Sequence, residues 1–126
     1  MLRKFNPPGA SAPPFYSHGT EVTGAQRTLY ISGQVGVGAD GALGKGITEQ
    51  TQLAAKNLQA VLAAADLTLA DVAKFTIYMT DERNFDGFVQ GATGLLSQPP
   101  AATTMLYVKA LASPDMLIEI EAIAVK

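Results

Sequence analysis

The acids Glu119 and Glu121 stand two positions apart in Leu117-Ile118-Glu119-Ile120-Glu121-Ala122-Ile123-Ala124, a run otherwise built of apolar residues. Side chains alternate with period two along a strand, so both carboxyls project from one face. An ordinary core strand would not carry them. Either that face is solvated, or it lines a polar cleft or a subunit contact. In a cleft, Glu119 has the chemistry to activate or position a hydrolytic water. The structural alternative is a pair of acids that hold hydrogen bonds or ion pairs at an interface.

Other reactive groups are few. Ser32, in Ser32-Gly33-Gln34, has no base within its motif, so it supports a hydrogen-bonding role rather than nucleophilic attack. Tyr16 follows Pro13-Pro14, and its hydroxyl can donate to a carbonyl oxygen or a substrate nitrogen, or its ring can anchor a terminal strand by packing. His18 is the single histidine and reads as a surface or interface residue with no partner for a metal site. The chain has no cysteine, which excludes disulfides, thiol nucleophiles and thiolate metal sites. Gly44-Lys45 lacks the spacing of a phosphate-binding loop and is not followed by Ser or Thr. The expectation from these residues is a site without a thiolate or histidine metal centre.

At 126 residues, with 48% hydrophobic and 16% charged, the chain is expected to form one domain over residues 1–126 with its own core. Nine Lys and Arg against 11 Asp and Glu give a formal net charge of −2, and the basic residues are scattered. That pattern argues against a nucleic-acid surface. No apolar run approaches the roughly 20 residues that span a bilayer, and Met1-Leu2-Arg3-Lys4-Phe5-Asn6-Pro7-Pro8 lacks the apolar core of a signal peptide. A soluble cytoplasmic protein with no membrane partner is expected.

The elements that must position these groups follow from pattern. Pro7, Pro8, Pro13 and Pro14 keep the early chain extended, and a short strand begins at Phe15-Tyr16-Ser17-His18. Arg27 to Val35 is β-branched and aromatic and reads as a strand, followed by a flexible glycine-rich loop over 36–46 that would rim a cleft. Thr48 is a good N-cap for a helix over about 48–65, with Leu53, Ala54, Leu58, Val61, Leu62 and Ala65 at helical spacing and Asp66 suited to a left-handed ending. Val72 to Met79 alternates as a strand. Thr80 or Asp81 can cap a second helix with Phe85, Phe88, Val89, Ala92 and Leu96 on one side. Gly87, Gly91 and Gly94 each cost that helix about 1 kcal/mol relative to Ala, so it is either weak or packed closely along its glycine edge. Strands at about 103–110 and 116–125 complete the order β-β-α-β-α-β-β. Two helices on one face of a mixed sheet leave the other face uncovered and partly apolar, which predicts oligomerisation.

Tyr16-Ser17-His18, Ser32-Gly33-Gln34-Val35-Gly36, Asn57-Leu58-Gln59-Ala60-Val61-Leu62, Asp71-Val72-Ala73-Lys74 and Ile118-Glu119-Ile120-Glu121-Ala122-Ile123-Ala124 occur in order over nearly the whole chain. Together they resemble the Rid family, also called YjgF/YER057c/UK114. The resemblance implies a chorismate-mutase-like α+β fold, a homotrimer, and small-molecule ligands in three inter-subunit clefts. The best-known members hydrolyse 2-imino or enamino acids to 2-keto acids and ammonia without metal or cofactor. Carried across by motif, the cleft tyrosine is Tyr16, the serine Ser32, and the glutamate placed near a water Glu119.

One family element is missing. The arginine that grips the substrate carboxylate follows a Pro-Ala pair, here Pro100-Ala101, so its position falls on Ala102, Thr103 or Thr104. Threonine cannot reproduce a planar bidentate contact, although Thr103 and Thr104 offer hydroxyls in its place. The family's asparagine on the second helix is replaced near Val89. Three functions are therefore weighed: an imine or enamine deaminase-like hydrolase, a non-catalytic trimer that binds a small metabolite or regulates a partner, and the endoribonuclease or translation-inhibitor activity ascribed to some relatives. The last lacks the basic groove or paired histidines that RNA cleavage would suggest.

Overall fold

The computed structural model describes residues 1–126. Strands β1 (Leu2–Phe5), β2 (Gly19–Val22) and β3 (Thr28–Val35) precede helix α1 (Gly46–Ala64). Strand β4 (Val72–Met79), helix α2 (Phe85–Gly91) and strands β5 (Ala102–Tyr107) and β6 (Ile118–Val125) follow. The main sheet runs in the order β3-β6-β4-β5, with β4 and β5 parallel and the other pairs antiparallel. A parallel pair needs a crossover, and α2 lies within the β4 to β5 connection. The expected α+β layering of two helices on a mixed sheet is what the chain adopts.

The order departs from expectation at the N-terminus. Leu2–Phe5 forms a strand not among those expected, and Phe15–His18 is largely irregular, with the expected strand displaced to Gly19–Val22. These two strands pair with each other, Leu2 opposite Val22 and Phe5 opposite Gly19, as a ribbon separate from the main sheet. β1 is only four residues long, too few for alternation to announce it. Ser17 contributes a single parallel bridge to Ala102 instead.

The core lies between sheet and helices. Phe75, Ile77 and Met79 of β4 and Ile118, Ile120, Ala122 and Ala124 of β6 are buried together with Ala54, Leu58 and Leu62 of α1 and Phe88 of α2. Fully burying each large apolar side chain contributes about 1.5–3 kcal/mol. The alternate residues Lys74, Thr76, Tyr78, Glu119, Glu121 and Ile123 are only partly buried and face the other way. On that open face Tyr30 is 77% and Leu106 46% exposed.

Both helices start and stop for local reasons. α1 begins two residues earlier than expected, with Lys45 at the N-cap and the Glu49 carboxylate accepting from the Lys45 N–H at 2.9 Å. Thr48 is therefore free of capping and donates to the Gly87 carbonyl at 3.1 Å, linking the helices. Asp66 takes φ +58°, the left-handed ending anticipated for it. α2 is shorter than expected, and a single turn of 3-10 helix over Thr93–Leu95 replaces its last part. Of the two explanations for its glycines, close packing holds for Gly87 and Gly91, though not for Gly94, where a Cβ would meet open space: a Cβ on Gly91 would lie 2.7 Å from the Thr48 carbonyl oxygen and from Thr51 Cβ, and one on Gly87 would strike Ile47.

Candidate functional site

Glu119 is positioned by a bulge in the neighbouring strand. Between β3 and β6 the register jumps from Ile31 opposite Ala122 to Gln34 opposite Ile120, so Ser32 and Gly33 together oppose Glu121. Such a bulge re-aims side chains. The Glu119 side chain lies over the bulged glycine: a Cβ on Gly33 would sit 2.5 Å from Glu119 Cδ and would overlap its carboxylate. Glycine at this position is what lets the carboxylate reach across β3 beside Ser32. Neither the Glu119 carboxylate nor the Ser32 hydroxyl has a hydrogen-bond partner within the chain.

The two acids separate in role. Glu121 accepts the Tyr78 hydroxyl at 2.5 Å, and this contact, followed by burial and the charges of Glu121 and Glu119, raises the Tyr78 pKa above the ordinary tyrosine value. Tyr78 is thus a fixed neutral donor that occupies Glu121. The structural alternative describes Glu121 within the protomer; Glu119 stays unpaired. Nearby, Lys74 donates to Thr104 Oγ1 at 2.7 Å.

Tyr16, Thr103 and Thr104 meet elsewhere, at a cavity of about 480 Å³ between α2 and the β4–β5 edge. The irregular segment before β2 is fastened to the start of β5: Ser17 N–H donates to the Ala101 carbonyl at 3.2 Å, Ser17 Oγ to the Pro100 carbonyl at 2.5 Å, and the Ala102 N–H to Thr20 Oγ1 at 3.0 Å. These bonds set Tyr16 beside Pro100–Thr104. Apart from Thr93 and Ser97, the remaining wall is apolar, with Phe75, Phe85, Phe88, Val89, Leu96 and Met105 among its residues. No charged side chain lines it. Each arginine is engaged away from it: Arg3 with Glu21, Arg27 with the Ala65 carbonyl, and Arg83 with Asp81, whose carboxyl it holds down to about 2 by hydrogen bonding.

The five residues singled out in the sequence therefore fall into two groups. β3 and β5 are the opposite edges of the sheet, three strand spacings or about 14 Å apart. Ser32 and Glu119 lie on the open face towards the β3 edge, whereas Tyr16, Thr103 and Thr104 line the cavity at the β5 edge. One small ligand cannot touch both groups within one protomer. His18 is exposed, with its ring edge-on to Tyr16 at 5.5 Å. No group of three or more His, Asp or Glu side chains is gathered anywhere.

The glycine-rich loop over 36–46, expected as a flexible cleft rim, closes as a small hairpin, with Val37 bridged to Leu43 and Gly44 N–H donating to the Gly36 carbonyl at 2.8 Å; it follows β3 and does not line the cavity at the β5 edge. Asn57 Nδ2 donates to the Val35 and Val37 carbonyls, and buried Gln50 ties Gly44 to Asp115 and Leu117. Gln50 and Asn57 were read only as helix residues; polar groups on the inner face of an otherwise apolar helix were the available signal. The cavity wall of α2 was likewise read as a packing stripe, since a pocket lining and a core face share one periodicity.

This is the architecture of a Rid-type α+β domain. Residues 8–126 match the family model described as Endoribonuclease L-PSP. The chain is 37% identical to the RutC family protein SSO3206 of Saccharolobus solfataricus, over 88% of this chain and 86% of that one. It is 35% identical to the 2-iminobutanoate/2-iminopropanoate deaminase of Mus musculus, over 94% and 85%. Among solved structures, YyfB from Yersinia pestis, a protein of unknown function of the conserved Rid family, superposes with a TM-score of 0.85 at 38% identity, covering 99% of this chain and 98% of that one. The chain belongs to the Rid (YjgF/YER057c/UK114) family. None of its helices is long and apolar enough to cross a membrane.

Proposed function

We propose that the protein is a cofactor-free hydrolase of imines or enamines, acting in clefts built where copies of the chain meet. The observation that carries this reading is the unpaired Glu119 carboxylate, seated over Gly33 beside Ser32 and aimed at no group of its own chain. The resemblance to deaminases, including the mouse relative, supplies the reaction class. An enamine first takes a proton at carbon and gives one up from nitrogen to become the imine. Water then adds through oxygen to the imine carbon while Glu119 accepts a proton from it and passes that proton to nitrogen, giving the carbinolamine; Glu119 then moves the hydroxyl proton to nitrogen as the C–N bond breaks, and ammonia leaves with the carbonyl compound as co-product. Tyr16 and Ser32 hydrogen-bond the substrate.

The separation of the two residue groups supports a shared cleft. A ring that brings the β5 edge of one protomer towards the β3 edge of the next is closed and heterologous, and three copies give three identical clefts. It also covers the exposed Tyr30 and Leu106. We expect sedimentation at micromolar concentration to show a trimer; a monomer or a dimer contradicts the shared cleft. A second reading, a trimer that binds a small metabolite without turnover, draws on the cavity's lack of any cation.

A further inference from the structure

The cavity wall itself defines a ligand. Thr93 Oγ1 donates to the Gln90 carbonyl, Thr103 Oγ1 to the Ala101 carbonyl and Ser97 Oγ to the Pro99 carbonyl. The two lysines that come near the wall each bond a lining hydroxyl: Lys4 donates to Ser97 Oγ at 3.2 Å and Lys74 to Thr104 Oγ1. Neither lysine lines the cavity, and burial lowers the Lys4 pKa against the opposing pull of Asp71. Among side chains, that leaves two lining hydroxyls that donate to nothing in the chain: Tyr16, on a residue 39% exposed, and Thr104, which accepts from Lys74. A carboxylate placed here would be desolvated against a wall that carries no charged side chain, whereas an apolar body meets a matching wall.

We propose that this cavity selects neutral ligands: a carbonyl or imine compound with an apolar body about the size of an aryl ring and its heteroatom hydrogen-bonded to Tyr16. The proposal rests on the hydrolase reading for the reaction performed, but the selectivity comes from the wall. It differs from amino-acid-derived imines in the absence of a carboxylate.

Titration calorimetry on the whole protein with three probes tests it: acetophenone, its keto-acid analogue phenylglyoxylate, and ethylbenzene, which lacks the acceptor. Acetophenone is expected to bind at least about tenfold more tightly than phenylglyoxylate, because the acid must lose its solvation. Tyr16→Phe keeps the ring, and it should weaken acetophenone about fivefold, to the level of ethylbenzene, while leaving ethylbenzene unchanged. Tighter binding of phenylglyoxylate, or no binding of any probe to protein shown to be folded by circular dichroism, overturns the proposal. Acetophenone binding without hydrolysis of the corresponding imine would support the selectivity and remove the hydrolase reading, so the two fail separately.

Discussion

Hydrolysis of 2-iminobutanoate by this protein is expected to be at least about 30-fold slower in kcat/KM than by relatives that carry the carboxylate-binding arginine. Removing one partner of a desolvated charge pair costs roughly 2–5 kcal/mol, and each 1.36 kcal/mol on a barrier is about tenfold in rate. In this chain the arginines are at 3, 27 and 83, each bound elsewhere, and the positions after Ala101 carry Ala102, Thr103 and Thr104. A coupled assay that generates the imine in place gives the comparison. Rates equal to those of arginine-bearing relatives would mean that another cation grips the carboxylate, and Lys4, beside Ser97, is the first to test.

The second large effect concerns the carboxylate over the bulge. Glu119→Gln should abolish most turnover, about 100-fold or more, because the amide cannot accept a proton from water. The melting temperature should change little, since the carboxylate takes no hydrogen bond from its own chain. Gly33→Ala should give the same phenotype by a different route: the new methyl group occupies the space of Glu119 Cδ and displaces a flexible side chain rather than backbone. If Glu119 instead served a buried ion pair in the assembly, its neutral variant would strand the partner and cost about 3–5 kcal/mol of stability. A large thermal loss with unchanged activity in either variant refutes the role given to Glu119. Tyr78 provides a control: it occupies Glu121, so Tyr78→Phe should leave the Glu119 chemistry in place.

Much of this arrangement is written locally in the chain. Val72–Met79 and Ile118–Val125 alternate cleanly because one face is packed under helices and the other is not, and alternation survives where burial is one-sided. Asp66 announced the end of α1 through its tolerance of positive φ. What stayed hidden depends on distant partners. The start of α1 moved because Glu49 serves Lys45, leaving Thr48 to bond α2 across the helix interface. β1 exists only because β2 pairs with it. At the site, the types of Glu119, Ser32 and Tyr16 were visible, but not that a bulge brings the first two together while the sheet's width holds Tyr16 apart. Gly33 carried the clue as a glycine inside a β-branched strand, a position that often marks a bulge or a close approach.

The claim that two protomers share each cleft is tested most directly by mixing two disabled chains. Glu119→Gln removes the acid at the β3 edge, and Thr103→Tyr fills the cavity at the β5 edge with a strand-favouring residue for which the cavity has room. Each homotrimer alone should be inactive on whatever imine or enamine the unaltered protein turns over. Co-folded in equal amounts, the two chains should recover about a quarter of the unaltered activity, the share of heterologous contacts in which two intact edges meet. A mixture as inactive as its components, from chains shown to have exchanged into one trimer, would contradict the shared cleft.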